Sequence, residues 1–328
     1  MLRVGLIGAG MVSRHHLIGW AALGDKARVV AIADPSTENR ERRAGEFGIA
    51  STYPDLDTML AAETLDAVDI AAPREVHARL VRAAAARNLA ILCQKPLAED
   101  LARAEALAAE MAGTRLMVHE NWRFRHYYRD AAEWVRAGRI GTVQQCRMTL
   151  LTSGLLPGED GVRPALQRQP FMRDLRRMLV NEVLIHHLDT MRVLLGELRV
   201  TACRLGRSCP DMAGEDNALV SLESTQGAAA VLLGNMAAFG FPAAQADDML
   251  LIGSTGTIRL HGSTLTCHGR DPEEREYDLA ACYQDSYDAC IAHFVNALTS
   301  GAPFETSPAD NLRTLRLVED CYALAGPA

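Results

Sequence analysis

The sequence predicts an α/β protein in which a doubly wound parallel sheet is followed by an α+β domain with an open, mainly antiparallel sheet. The chain has 328 residues, enough for two domains of about 150 residues each. Its first third alternates short apolar runs with helical patterns, as the βα units of a parallel sheet do. Later segments are apolar at every second position and are separated by glycine-rich turns. We therefore predict one domain over residues 1–120 and another over residues 121–328.

The first domain is expected to alternate strands with helices. The predicted strands cover residues 3–8, 29–34, 67–72, 90–93 and 115–119. The predicted helices cover residues 12–23, 37–47, 75–87 and 99–111. Alanine-rich composition and an acidic residue in the first turn favour the last two helices.

The second domain is expected to be mainly β-structure with four helices. Its predicted strands cover residues 143–151, 199–205, 218–224, 228–236, 249–252 and 257–260. Its predicted helices cover residues 128–137, 182–195, 287–298 and 308–324. The segment 153–178 is expected to be a long connection without regular structure.

The composition excludes several classes of protein. Apolar residues make up 48% and charged residues 23% of the chain, which excludes a disordered or fibrous protein. The net charge of −7 argues against nucleic acid and acidic membrane surfaces as partners. The eight cysteines include no CxxC pair, so we expect free thiols and no metal site. The sequence shows neither a signal-peptide pattern nor a membrane-spanning run, so we expect a cytoplasmic protein.

A glycine-rich turn, Gly8-Ala9-Gly10-Met11-Val12-Ser13, links the first predicted strand to the first helix. Its first glycine permits a tight turn and its second lets the backbone approach a pyrophosphate, which the helix N-terminus attracts. Asp34 ends the second strand, where a carboxylate accepts ribose hydroxyls and repels a 2′-phosphate. The pattern predicts NAD rather than NADP as the cofactor. Gly8, Gly10, Met11, Val12 and Asp34 are its candidate ligands.

Two loops at the carboxyl ends of predicted strands carry further candidates. Ala72, Pro73 and His77 follow the third strand, where ligands bind in doubly wound folds. The segment Gln94-Lys95-Pro96 follows the fourth strand, and its proline restricts the lysine's backbone. An ammonium group there can donate to a substrate hydroxyl and stabilise its developing negative charge. The alternative is an ordinary surface lysine.

The predicted helix over residues 182–195 has a core face and a polar face. At about 100° per residue, Glu182, His186 and Asp189 share the polar face. Carboxylates at i−4 and i+3 hold a histidine in one tautomer and make it a better general base. His187 lies nearer the apolar side and is interpreted as structural. A metal site at His186, His187 and Asp189 is disfavoured because adjacent histidines on a helix diverge by about 100°.

Together, these motifs resemble those of the Gfo/Idh/MocA oxidoreductases, the family of glucose–fructose oxidoreductase and inositol dehydrogenase. The resemblance spans nearly the whole chain. It rests on the glycine turn, Asp34, Pro73 with His77, Lys95-Pro96, Asn121-x-Arg123, Gly138-x-x-Gly141, His186-x-x-Asp189, His293-Phe294, Gly301-x-Pro303 and Ser307-x-x-Asp310.

The resemblance implies an NAD(P)-binding Rossmann domain, a substrate-binding and oligomerisation domain, and oxidation or reduction of sugars, polyols or their derivatives. It implies that Lys95 contacts the reacting hydroxyl and the nicotinamide ribose, and that His186 is the acid/base. The candidate catalytic residues are therefore Lys95, His186 and Glu182. Gln94 is a further candidate cofactor contact. The candidate substrate contacts are Asn121, Arg123, Asp189, His187 and Arg163.

The sequence departs from the family's motifs at three positions. Gln94 stands for a glutamate, which removes a charge beside Lys95. Glu182 stands for an aspartate and keeps the carboxylate, while Leu184 stands for a glycine and thickens the helix's core side. Two alternatives to a sugar dehydrogenase therefore stay open. One is a dihydrodiol- or biliverdin-type reductase, and the other is a catalytically weak dinucleotide sensor, which Gln94 favours.

The connection over residues 153–178 carries five arginines and is expected to line or cover the substrate site. There Arg163 or Arg173 would bind hydroxyls or a carboxylate; the alternative is a solvated loop whose arginines pair with surface acids. Segments 169–171 and 119–124 are similar to a subgroup of aldose dehydrogenases, such as those for apiose. A homodimer or homotetramer is expected through the second sheet. The residues expected in that patch are Val220, Leu222, Val231 and Leu233.

Overall fold

The computed structural model describes residues 1–244 and 247–326. Strands β1 to β14 are Leu2–Ile7, Ala27–Ala33, Ser51–Tyr53, Ala67–Ile70, Ala90–Gln94, Leu116–His119, Val143–Leu151, Leu198–Gly206, Asn217–Ser224, Ala229–Asn235, Asp247–Gly253, Thr257–His261, Thr264–His268 and Glu273–Glu276. Helices α1 to α10 are Ser13–Ala22, Thr37–Phe47, Leu56–Ala62, His77–Ala85, Leu101–Glu110, His126–Arg136, Pro164–Arg168, Ile185–Leu195, Leu279–Ser300 and Pro308–Ala325. They form two compact units. The first comprises Met1–Phe124 with Ala280–Leu315, and the second comprises Arg125–Leu279 with the segment that starts at Arg316.

The first unit contains a six-stranded sheet in the order β3-β2-β1-β4-β5-β6. Its described strands are all parallel, which confirms the predicted doubly wound fold. The strand order reverses between β1 and β4, so the loops that follow these two strands flank the crevice where such sheets bind ligands. The sequence analysis missed β3 and α3. A strand of three residues is too short to show a periodicity.

Residues near both ends of the chain build the core of the first unit. Trp20 of α1 lies edge-on to Phe294 of α9, with ring centroids 6.1 Å apart, and Phe294 stacks on Phe304 at 5.3 Å. A backbone hydrogen bond from the Val118 N–H to the Thr306 carbonyl (2.8 Å) joins the C-terminal segment to β6, the edge strand. The sequence analysis placed every residue beyond 120 in the second domain. The structure instead packs Ala280–Leu315 into the first unit, because these aromatic side chains bury apolar area against α1.

The second unit contains an eight-stranded sheet in the order β14-β13-β12-β11-β7-β10-β9-β8. Among the described strands only β7 and β10 pair in parallel, which confirms a mainly antiparallel sheet.

The four residues of the predicted self-complementary patch lie on two different faces of this sheet. Val220 and Leu222 are buried, so their assignment to the patch was wrong. The opposite face carries Leu219, which is 46% exposed and pairs in register with Leu233. Val231 lies on the same face as Leu233, two residues away along β10.

The segment over residues 153–178 is more regular than predicted. It contains α7, which starts with Pro164 at a position where its fixed φ favours a helix, and a 3₁₀ turn over Pro170–Asp174. None of the helices within residues 1–244 and 247–326 is long and apolar enough to cross a membrane. All eight cysteines are free thiols in the structure. The cytoplasmic location stays a prediction.

Candidate functional site

The glycine turn after β1 depends on residues without side chains. Gly8 has a φ of +94°, and a Cβ atom there would lie 2.6 Å from the carbonyl oxygen of Ala71. A Cβ atom on Gly10 would meet no described atom within 4 Å. The turn is therefore open at Gly10, as a pyrophosphate-binding turn must be. Ser13, in place of the motif's third glycine, donates from Oγ to the Gly10 carbonyl at 2.7 Å and so stabilises the turn.

Arg43 of α2 supports the same turn. Its guanidinium donates to the Gly10 carbonyl at 3.1 Å and to Ser13 Oγ at 3.3 Å, and it forms an ion pair with Glu46 at 2.9 Å. The side chain is buried. The sequence analysis missed Arg43 because an arginine on an amphipathic helix is usually solvated.

Asp34 follows β2 and is fixed beside the glycine turn. Its Oδ2 accepts the Ala9 N–H at 2.7 Å and its Oδ1 accepts the Ser36 N–H at 2.8 Å. A carboxylate oxygen can accept more than one hydrogen bond, so these contacts leave Asp34 able to receive hydroxyl donors. Binding of the adenosine ribose by Asp34 stays a prediction. Arg40 lies close by and donates from Nη1 to the Asp34 carbonyl at 3.1 Å.

His77 is buried and joins two loops of the first unit. Its Nδ1 lies 2.9 Å from the carbonyl oxygen of Pro96, and its Nε2 lies 2.8 Å from that of Ala72. Burial lowers the pKa of His77, although both carbonyl contacts act to raise it. Because a backbone oxygen lies within hydrogen-bonding distance of each ring nitrogen, His77 positions these two loops relative to each other, and its contact with the cofactor stays a prediction. Ala72 and Pro73 directly follow β4, and their contact with the cofactor stays a prediction.

Lys95 directly follows β5, and the side chain before it is held in place. Gln94 Oε1 accepts the Lys95 N–H at 2.8 Å, and Gln94 Nε2 lies 3.1 Å from His16 Nε2. His16 Nδ1 lies 2.8 Å from Asp69 Oδ2. The sequence analysis missed His16 and Asp69, because one lies within a helical pattern and the other within an apolar strand.

Asn121 and Arg123 were predicted to bind substrate, but both are buried and hold the first unit together. Asn121 donates to Ser286 Oγ at 2.7 Å. Arg123 donates from Nη2 to Asp310 Oδ2 at 2.7 Å. These contacts support structural roles for both side chains, and their contacts with substrate stay predictions. Their partners lie 165 and 187 residues away in sequence, which no local pattern reveals.

Glu182 and His186 lie on one helical segment whose geometry differs from the prediction. Leu179–Leu184 forms a π-helical turn, and α8 starts at Ile185. The rule of about 100° per residue therefore does not apply at Glu182. His186 and Asp189 are both buried, so the segment lacks the predicted division into a core face and a polar face. Single π-helical turns are frequent at functional sites.

Two contacts stabilise this π-helical turn. Glu215 accepts the Met178 N–H at 3.2 Å and the Val180 N–H at 3.1 Å. Gly234 of β10 leaves space for Leu184, since a Cβ atom there would lie 2.7 Å from Leu184 Cδ1. Leu184 is fully buried, as predicted for a side chain on the core side.

His187 belongs to a buried polar cluster centred on Asp247, the first residue of β11. His187 Nε2 lies 2.9 Å from Asp247 Oδ1. Asp247 Oδ2 accepts hydrogen bonds from Arg125 at 2.9 Å, Tyr128 at 2.9 Å and Tyr127 at 3.2 Å. Burial acts to raise the pKa of Asp247, but His187 and Arg125 outweigh it and hold that pKa well below its usual range. These contacts support the structural interpretation of His187, and its contact with substrate stays a prediction.

Two other predicted substrate contacts also have partners within the second unit. Asp189 Oδ1 lies 3.6 Å from Arg192 Nη1. Arg163 donates to Asp211 Oδ2 at 2.7 Å and to the Leu155 carbonyl at 2.6 Å. For Arg163 the structure thus supports the alternative, in which the loop arginines pair with acids.

Comparison with protein families identifies both parts of the chain. Residues 2–121 match the model of an oxidoreductase family with an NAD-binding Rossmann fold. Residues 128–259 match the GFO/IDH/MocA C-terminal domain.

Several known proteins are similar to this one over nearly the whole chain. D-apiose dehydrogenase of Paraburkholderia graminis is 34% identical over 98% of this chain and 86% of its own length. D-apiose dehydrogenase of Rhizobium rhizogenes is 29% identical over 99% and 95%. An Agrobacterium radiobacter oxidoreductase, solved in complex with NAD⁺, L-tartaric acid and magnesium, is 29% identical with a TM-score of 0.91, covering 99% of this chain and 96% of that one.

Proposed function

The chain belongs to the GFO/IDH/MocA family of NAD-binding oxidoreductases, and from this premise we propose that it oxidises a hydroxyl group of an aldose, a polyol or a related sugar derivative. It is an NAD-dependent dehydrogenase of that family. The observation that carries the choice of chemistry is Lys95, which follows β5 on a backbone that Gln94 holds. Similarity to D-apiose dehydrogenases over nearly the full chain supports a branched or linear aldose as the substrate.

The residues of the first unit fit a dinucleotide. The turn at Gly10 is open, and Met11, at its outer side, is 50% exposed. The N-terminus of α1 provides N–H groups and a positive dipole, which favour a pyrophosphate. Asp34 would hold the adenosine ribose, with Ala72 and Pro73 after β4 nearby in the fold. When bound, the nicotinamide supplies the hydride acceptor.

Lys95 and His186 carry different parts of the proposed chemistry. Lys95 donates a hydrogen bond to the reacting hydroxyl oxygen and stabilises its negative charge as the C–H bond breaks. His186 accepts the hydroxyl proton. Glu182 lies in the π-helical turn directly before α8 and is the proposed carboxylate partner of His186, while Asp189 Oδ1 lies 3.6 Å from Arg192 Nη1 on the same helix.

The test is a dehydrogenase assay with NAD and a panel of aldoses and polyols that starts with D-apiose, read by the absorbance of the reduced nicotinamide. We expect turnover of at least one of these sugars, with Lys95→Met and His186→Ala each lowering kcat by about 100-fold while the Kd for NAD changes little. Lys26→Met, at the exposed 3₁₀ turn after α1, is the matched control.

Two results would contradict this function. Normal turnover by both variants would remove Lys95 and His186 from the chemistry. Stabilisation by NAD without turnover of any sugar would favour the dinucleotide sensor.

A homodimer or homotetramer through the second sheet is part of the proposal. Its support is the face that carries Leu219, Val231 and Leu233, since an apolar sheet face is favoured at an interface.

A further inference from the structure

A buried chain of hydrogen bonds runs from the backbone at Lys95 to Asp69. The Lys95 N–H donates to Gln94 Oε1 at 2.8 Å, and Gln94 Nε2 lies 3.1 Å from His16 Nε2. His16 Nδ1 lies 2.8 Å from Asp69 Oδ2, which also accepts the Trp20 indole N–H at 2.6 Å. Four separate elements, α1, β4, β5 and the loop after β5, therefore meet in one network.

The Lys95 N–H at one end of this network and the Asp69 carboxylate at the other determine which group donates in each hydrogen bond. A backbone N–H can only donate, so the Gln94 atom facing Lys95 is the oxygen and the atom facing His16 is the NH₂ group. His16 Nε2 must then accept, which places the ring proton on Nδ1, facing Asp69. The indole N–H of Trp20 also only donates, which agrees with an accepting Asp69 carboxylate.

The His16–Asp69 end of this network is shielded from solvent, whereas Gln94 and Lys95 are half-buried. His16 and Asp69 are fully buried, and Trp20 is 1% exposed. The ring of His16 packs on the ring of His119 at 4.2 Å and on that of Tyr287 at 5.5 Å. The titratable groups that contact His16 are Asp69 of β4, His119 of β6 and Tyr287 of α9, and His15 precedes His16 in α1.

We propose that Gln94, His16 and Asp69 act as positioning residues that fix the backbone of Lys95, and that residue 94 is an amide because the network requires a side chain that accepts from Lys95 and donates to His16. A glutamate at this position offers two acceptors and would face the lone pair of His16 Nε2. The inference rests on the proposed function, because Lys95 is the residue assigned to the reacting hydroxyl.

The first test compares Gln94→Glu and Gln94→Met across pH, with the sugar that the wild-type protein oxidises best. In Gln94→Glu a carboxylate oxygen faces His16 Nε2, so His16 keeps its contacts with both residue 94 and Asp69 only when both ring nitrogens carry a proton. We expect its kcat to be close to wild type near about pH 6 and to fall about tenfold relative to wild type by about pH 8.5. Gln94→Met removes both hydrogen bonds and should lower kcat at every pH.

The control is Gln226→Glu, which makes the same chemical change in the exposed turn between β9 and β10. It should follow the wild-type pH profile. A pH profile of Gln94→Glu that runs parallel to wild type would overturn the inference, whereas Lys95→Met would still test the proposed function on its own.

A second readout needs no activity. Long-range ¹⁵N–¹H correlation spectra of protein labelled at its ten histidines separate the Nδ1–H tautomer, the Nε2–H tautomer and the imidazolium. We expect one histidine that is Nδ1–H in the wild type to become an imidazolium in Gln94→Glu at about pH 6. If no Nδ1–H histidine responds to this substitution, the assigned direction of the network is wrong, whether or not a sugar is oxidised.

Discussion

Lysine is rare in this protein, so the presence of a lysine rather than an arginine at position 95 calls for a chemical reason. The sequence contains thirty-two arginines but two lysines, Lys26 and Lys95. An arginine guanidinium stays protonated, whereas a partly buried ammonium group can exchange its proton and moves on a flexible stem. Lysine is therefore better suited than arginine to donate a hydrogen bond to a hydroxyl oxygen whose negative charge develops during the reaction.

Cofactor preference is predicted to depend on Asp34. We expect Asp34→Ser to weaken NAD binding and to improve NADP binding, each by about tenfold, because the carboxylate that repels a 2′-phosphate is lost while Arg40 stays beside the position. The Kd values for both dinucleotides, measured by fluorescence titration, check this. Glu38→Ser, an exposed acid in the first turn of α2, is the control. An unchanged Kd for NADP would contradict the assignment.

Replacing Arg123 distinguishes a structural role of this side chain from a role in substrate binding. We expect Arg123→Met to lower the free energy of unfolding by about 3 kcal/mol, because the buried Asp310 loses a buried cation. Urea denaturation measures this, and KM for the sugar should not change. Arg313→Met, which removes the more exposed partner of Asp310, should cost less than about 1 kcal/mol. A large rise in KM at unchanged stability would restore the predicted substrate contact.

At the scale of elements, strong periodicity predicted most of the structure. The bounds of α2 and β7 agree with the predicted ranges 37–47 and 143–151. The π-helical turn over Leu179–Leu184 was not predictable, because it follows neither the helical nor the strand period. It also changed the predicted site, since Glu182 lies within it. The local motifs located the glycine turn, and the roles of Lys95 and His186 stay predictions. The partners of Asn121 and Arg123 lie 165 and 187 residues away, so no local pattern could reveal them.

The Asp247 cluster joins α6, α8 and β11 and should contribute a pH-dependent part of the stability. We expect Asp247→Asn to lower the free energy of unfolding by about 3 kcal/mol at neutral pH. Because the folded protein holds the pKa of Asp247 below its usual range, this contribution is present above about pH 4 and is lost as the pH falls further. Urea denaturation between about pH 3 and pH 7 measures the difference.

Asp248→Asn makes the same change at the next residue, where the carboxylate pairs with Arg147 on a more exposed face. It should have a small effect at any pH. A difference between wild type and Asp247→Asn that grows as the pH falls would contradict the assigned sign.

At the scale of the whole molecule, the proposed assembly depends on the Leu219 face of the second sheet. We expect sedimentation to give a dimer or tetramer at micromolar concentration, and Leu219→Asp to shift the protein towards monomer because it places a charge against an apolar surface. Leu324→Asp, at another exposed leucine, is the control. A wild-type protein that sediments as a monomer would contradict the assembly.

The path of the chain through the two units has a consequence for biosynthesis. The first unit needs Ala280–Leu315, yet its sheet is complete by residue 119. At about 5–20 residues per second, a ribosome takes roughly 10 to 40 s to deliver the missing helix after the sheet has emerged. During that interval Trp20 and its apolar neighbours lack Phe294 and Phe304, so the nascent cofactor-binding unit presents a surface that chaperones recognise. A truncation that ends after β6 would keep this surface permanently, and would be a poor source of an isolated dinucleotide-binding domain.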